Sequence, residues 1–272
     1  MGSPYWFKFL INKTFSQRFF WSRLTHYPII GRAIDYMLFD GDDIMYLPAD
    51  KVISVNESLD PPESLMAPSK VVEHFIKEAG TCWRMDFCIC RDSAHCKDYP
   101  VDLGCLFLGD AAKDINPRFG RVISKEEALA HAQKCRDAGL VHLIGRNKLD
   151  SVWLNVGPAQ NLMTICNCCP CCCLWKILPT VSHRIGDKVS RMPGVSIQVT
   201  DKCVGCGTCA RDVCFVDAVS LKEGRAIIDE NACRGCGRCA AACPKQAIGI
   251  IVSDDAYVSH TIKRLEKVVD VT

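Results

Sequence analysis

The sequence has almost no net charge, no long uncharged apolar run between Met1 and Ile30, and none of the phosphate-binding or hydrolase signatures that most often identify an enzyme. Its 33 lysines and arginines offset 31 acids to leave +2, so nothing global favours nucleic acid as a partner. Lys8, Lys13, Arg18 and Arg23 interrupt the stretch from Met1 to Ile30, and the chain is expected in a reducing cytoplasm, at most peripheral at a membrane. Ser151 to Trp175 carries no charge, yet Asn155, Pro158, Gln160, Asn161, Asn167 and Pro170 would put polar groups and helix breaks into hydrocarbon. It is not read as a membrane span. Walker A, His-Glu-x-x-His and Gly-x-Ser-x-Gly are absent, so ATP hydrolysis, zinc proteolysis and α/β-hydrolase chemistry have no support.

What the sequence has is cysteine, 20 in 272 residues. The densest pattern reads Cys203-Val204-Gly205-Cys206-Gly207-Thr208-Cys209, then Cys214, and repeats as Cys233-Arg234-Gly235-Cys236-Gly237-Arg238-Cys239, then Cys243-Pro244. Three cysteines two residues apart wrap a cubane only if the loop is tight and its amides point at sulfur, which the glycines permit. Two structural zinc sites would also use paired Cys-x-x-Cys, but leave the third cysteine of each run without a use. Both loops match the dinucleotide pattern G-x-G-x-x-A, yet neither lies in a βαβ frame.

From Ser196 to Val252 these residues resemble a bacterial-type ferredoxin with two [4Fe–4S] clusters. The resemblance implies that Cys203, Cys206, Cys209 and Cys243 hold one cluster, while Cys233, Cys236, Cys239 and Cys214 hold the second. Two departures stand out: four residues rather than three precede Cys214, and Phe215 replaces the usual proline. An extra residue lets the loop bulge and alters amide–sulfur bonding, so the clusters are expected to be inequivalent.

The remaining cysteines fall in two groups, Cys82, Cys88, Cys90, Cys96 and Cys105, then Cys166, Cys168, Cys169, Cys171, Cys172 and Cys173. Cys135 lies on the apolar face of a helix opened by the capping box Ser124 to Glu127 and reads as core. Adjacent cysteines point apart, so the run from Cys166 to Cys173 divides its thiols between a centre and packing, or between two centres. Cys88, Cys90, Cys96, Cys105, Cys166, Cys168, Cys169, Cys171 and Cys172 are candidate ligands of one or two further Fe–S clusters, in a subset left open. The alternatives are buried core thiols and zinc. His142, alternating with apolar neighbours, reads as structural.

The wider region from Ile53 to Pro179, with Cys88-Ile89-Cys90-Arg91, Gly104-Cys105 and Cys166-Asn167-Cys168-Cys169-Pro170-Cys171-Cys172-Cys173, resembles 4Fe–4S ferredoxin-like proteins of anaerobic bacteria and archaea. In these a cysteine-rich domain precedes a ferredoxin module, which implies anaerobic electron transfer between redox-enzyme donors and acceptors.

The expected architecture is α+β: an aromatic and basic arm over 1–47, a cysteine-rich domain over 48–180, and a ferredoxin domain of pseudo-twofold β-α-β halves over 195–272. Pro48 to Pro68 reads as linker, a helix is expected from an N-cap at Ser69 to Gly80, strands at Val141–Ile144 and Val152–Val156, and a last helix from about Asp254. The aromatics Trp6, Phe7, Phe9, Phe15, Phe19, Phe20 and Trp21 cover the protein's own core, dock on a partner subunit, or lie on a membrane surface. An electron carrier or redox-complex subunit is expected rather than a stand-alone enzyme. The alternatives are a reductase with an open cluster in the N-terminal half and a zinc-stabilised assembly module.

Overall fold

The computed structural model describes residues 2–50 and 67–272, together with the backbone of the strand Ile53–Val55. Twelve strands follow in chain order among the described residues: β1 Asp43–Tyr46, β2 Ile53–Val55, β3 Cys82–Met85, β4 Leu106–Leu108, β5 Gly120–Ile123, β6 Val141–Arg146, β7 Met163–Cys168, β8 Val189–Arg191, β9 Val195–Val199, β10 Val219–Lys222, β11 Arg225–Ile228 and β12 Ile248–Val252. The helices are α1 Phe7–Thr14, α2 Arg18–Leu24, α3 Pro28–Leu38, α4 Ser69–Glu78, α5 Ile89–Ser93, α6 Lys125–Asp137, α7 Lys148–Leu154, α8 His183–Gly186, α9 Arg238–Ala241 and α10 Tyr257–Leu265. No described helix is long and apolar enough to cross a membrane.

A seven-stranded sheet in the order β5-β3-β4-β7-β6-β1-β8 is antiparallel except where β8 joins β1. Both of its faces are buried, and the period-two alternation of each strand sorts its side chains between them. Met45, Leu106, Leu108, Ile144, Met163 and Ile165 meet the apolar stripes of α4 and α10 in one core. The intervening Ile44, Tyr46 and Leu143 face the opposite side, where Phe15 and Phe19 of the N-terminal helical layer are turned inward. The same alternation places Cys166 and Cys168 of β7 on that second side.

The capping box at Ser124 forms as expected, with the Glu127 amide donating to Ser124 Oγ at 3.2 Å and Ser124 N donating to Glu127 Oε2 at 3.0 Å. Helix α4 starts one residue earlier than expected: Pro68 occupies the cap position and the Ser69 amide donates to Asp50 Oδ1 at 3.0 Å. The strand expected at Val152–Val156 is helix α7 instead. Asp42 Oδ1 accepts the Lys148 amide at 2.7 Å and opens that helix, which buries Trp153 and Leu154 and leaves Val152 exposed. The partner of β6 is β7, ten or so residues further on. Of the stretch expected as a linker, Ile53–Val55 pairs in parallel with β12, and residues 56–66 with the Pro61-Pro62 pair lie outside the described residues.

The C-terminal module is built from the sheet β2-β12-β9 and the hairpin β10–β11. Helix α10 packs against α4 and is tied to β1 by a bidentate pair, Arg264 Nε to Asp43 Oδ2 at 2.8 Å and Nη2 to Oδ1 at 2.7 Å.

Candidate metal centres

The two cysteine loops of the C-terminal module share their backbone geometry at the glycines. Gly205 and Gly235 both have φ of 64°, and Gly207 and Gly237 have 76° and 75°. Each loop directs amides at sulfur in the same way: Gly235 N donates to Cys233 Sγ at 3.4 Å as Gly205 N does to Cys203, and Ala218 N reaches Cys214 Sγ at 3.3 Å as Ala247 N reaches Cys243 Sγ at 3.3 Å. Cys203, Cys206, Cys209 and Cys243 line one small cavity. Cys214, Cys233 and Cys236 gather around Cys239. The halves thus exchange their fourth thiol.

The extra residue before Cys214 is absorbed at Asp212, whose φ of 56° has no counterpart in the second loop. The two quartets also sit in different surroundings. Cys206 is exposed, and its thiol is held below its ordinary value by hydrogen bonds from Thr208. Cys239 is buried, and desolvation pushes its thiol well up. Phe215, in the place of the usual proline, is buried with its ring 4.7 Å from that of Tyr46.

Between the second face of the large sheet and the N-terminal helices lies a cavity of about 170 Å³. Cys88, Cys90, Cys105, Cys166, Cys168, Cys169 and Cys173 line it. The thiols make close pairs: Cys105 and Cys166 at 3.6 Å, Cys168 and Cys173 at 3.3 Å, and Cys88 hydrogen-bonded to Cys90. Cys88 caps α5 in an extended conformation and Cys90 lies in its first turn, so both reach the same space. The chain brings β4 and β7 side by side, which sets Leu106 opposite Ile165 and brings Cys105 to Cys166.

A buried thiol set needs countercharge if its members ionise to bind iron. Arg91 is fully buried; it donates from Nη1 to Asn167 O at 2.7 Å and from Nη2 to Leu103 O, and contacts Cys169. Arg238 donates to Cys168 O and keeps Nε and Nη1 without a partner, and Arg18 leaves Nε unpaired beside Cys90 and Cys173. None of the three pairs with a carboxylate among the described residues. Two buried guanidiniums, Arg91 and Arg238, and the half-buried Arg18, each with an orphaned N–H group beside thiols, fit an anionic cluster. Arg18, Arg91 and Arg238 were not singled out from sequence; Arg91 follows Cys90 directly, and its neighbour's chemistry was the available signal.

The remaining candidates separate cleanly. Cys96, Cys169, Cys171 and Cys172 form a second, tighter group beside the cavity, with all four sulfurs within 4.8 Å of one another. Cys82 is a core thiol directed at Ile76 O. Cys135 is fully buried, its thiol pushed up to about 12 by desolvation, as a core residue should be. His142 is buried, held neutral by a value pulled down to about 4 through desolvation, and bonded through Nδ1 to Asn167 Oδ1 at 2.9 Å.

Residues 200–249 match the 4Fe-4S dicluster domain family. No curated protein and no solved structure matches the chain. The C-terminal module is therefore a ferredoxin-like iron–sulfur domain, set in a chain of mixed α and β structure.

Proposed function

We propose that this chain is an electron-transfer protein of three Fe–S clusters: two [4Fe–4S] clusters held by Cys203, Cys206, Cys209 and Cys243 and by Cys233, Cys236, Cys239 and Cys214, and a further cluster held by thiols drawn from Cys88, Cys90, Cys105, Cys166, Cys168 and Cys173. When bound, the clusters supply reversible one-electron reduction, with no protein acid or base required. One electron enters from a reduced protein donor and one leaves to an oxidised acceptor, so the chain is unchanged by a cycle.

The observation that carries the reading is the direct contact between the two thiol regions. Tyr46 Oη lies 3.6 Å from Cys173 Sγ at the cavity wall, and its ring packs, tilted, against Phe215, the residue after Cys214. Arg238, within the second cysteine loop, donates to Cys168 O and lies 5.7 Å from the same Phe215 ring. These side chains link the two regions. Exposed Cys206 leaves the first quartet open to a docking protein, while the second is covered by the N-terminal half.

Potentiometric titration of anaerobically purified protein, followed by EPR, tests this. Three reducible clusters with mutually broadened signals are expected. Two signals identical to those of an isolated dicluster module would contradict it. An enzyme that reduces a substrate in the cavity would instead show a spectral change on adding that substrate.

A further inference from the structure

The group Cys96, Cys169, Cys171 and Cys172 differs in kind from the other thiol sets. A cubane places each thiolate on a different iron and spreads the sulfurs, whereas a tetrahedral ion with Zn–S bonds of ~2.3 Å holds them about 3.8 Å apart. Pair approaches of 3.6 Å, as between Cys96 and Cys171 and between Cys171 and Cys172, occur among the cavity thiols as well; what sets this group apart is that all four sulfurs lie within 4.8 Å of one another. Among the described residues no other three histidine, cysteine or acidic side chains converge that closely, and the dicluster cysteines do not.

The local backbone supports the same conclusion. Cys169-Pro170-Cys171-Cys172 contains the Cys-x-x-Cys spacing of a zinc knuckle, and the Cys172 amide donates to Cys169 Sγ at 3.3 Å. The amides of Asp98 and Tyr99 point at Cys96 Sγ, which makes a second knuckle of the turn after α5. Arg91 contacts Cys169 from the cavity side and supplies countercharge.

The structure assigns to these four cysteines a mononuclear tetrathiolate zinc site, separate from any Fe–S cluster. Zn²⁺ displaces four thiol protons, giving a centre of net charge −2 with no change of oxidation state. Four protein ligands leave no open position, so the ion is structural. It joins the turn after α5 to the segment after β7, and α5 with its cap and β7 carry Cys88, Cys90, Cys166 and Cys168 into the cavity lining.

The test is metal analysis and zinc X-ray absorption on full-length protein purified anaerobically. About one zinc per chain with four sulfur neighbours near 2.3 Å and no metal–metal scattering is expected. In the double variant Cys96→Ser, Cys171→Ala the zinc is lost while the irons of the dicluster module stay. Wild-type protein without zinc overturns the assignment. So does loss of about four irons, rather than one zinc, in the double variant. Absorption by the unaltered protein keeps the proposal testable if that variant fails to fold.

Discussion

Replacing Gly205 by alanine separates the two clusters through a difference that the backbone symmetry conceals. Gly205 and Gly235 share a φ of 64°, so alanine at either meets the left-handed region, at about 1–2 kcal/mol. Their surroundings differ. A Cβ on Gly205 would lie 2.1 Å from the carbonyl oxygen of Gly224, a backbone atom of the β10–β11 turn, whereas on Gly235 it would meet the side-chain atoms Arg191 Cβ at 3.2 Å and Val195 Cγ1 at 3.3 Å. Relieving the first contact requires the loop or the hairpin to shift by about an ångström, adding overpacking of about 1–3 kcal/mol. The total for Gly205→Ala is about 2–5 kcal/mol, applied to the loop that holds three ligands of one cluster. Gly224→Ala, with φ of 74° and nothing within 4 Å, is the matched control. In anaerobically purified protein, Gly205→Ala should lose about four irons and one EPR signal, Gly235→Ala should lose less, and Gly224→Ala should match wild type. A Gly205→Ala protein with its full iron content, alongside a depleted Gly235→Ala protein, would refute the reasoning.

The cluster proposed for the cavity makes a parallel prediction: Cys88→Ser with Cys105→Ser should lower iron by about four and leave the ferredoxin-type signals intact, as read by iron analysis and EPR. Tyr46→Phe removes the hydroxyl 3.6 Å from Cys173 Sγ, and because hydrogen bonds to a charged acceptor contribute about 1.5–3 kcal/mol, a partial loss should lower one potential by tens of millivolts at ~59 mV per 1.4 kcal/mol. The dicluster potentials should stay in place. The exposed Trp6, Phe9, Phe20, Trp21, Tyr27 and Ile29, together with exposed Lys13, Arg23 and Arg32, should bind vesicles containing anionic lipid and release them at high salt; flotation without lipid dependence would favour a protein partner for this face.

The ferredoxin-like module was legible because its ligands are local: the Cys-x-x-Cys-x-x-Cys spacing and its glycines encode the loop with little help from the rest of the fold. The cavity was not. Cys105 and Cys166 are 61 residues apart and meet only because β4 and β7 are neighbours in the large sheet. The cysteine-dense run could be read as divided, but the division depends on strand periodicity at one end and a turn at the other. Cys166, Cys168 and Cys173 line the cavity, Cys171 and Cys172 turn to Cys96, and Cys169 stands between, lining the cavity and joining the Cys96 group. The misread segment at Val152–Val156 shows the same dependence. Its apolar residues suit either a strand or a helix, and Asp42, more than a hundred residues earlier, decides by capping Lys148.

The aromatic stretch at the N-terminus illustrates a further limit. Phe7, Ile11 and Phe15 recur at helical spacing and pack inward, while Trp6, Phe9 and Phe20 point out, so one segment both roofs the cavity and presents an apolar face. Composition alone does not distinguish those roles.

The most direct test of the central claim is the content of iron, acid-labile sulfide and zinc per chain in protein purified without oxygen. The three-cluster proposal together with the zinc assignment predicts about twelve irons with matching sulfide and about one zinc. About eight irons would confine redox chemistry to the ferredoxin-like module and contradict the three-cluster reading, and fewer than about four, with several zincs, would contradict electron transfer itself.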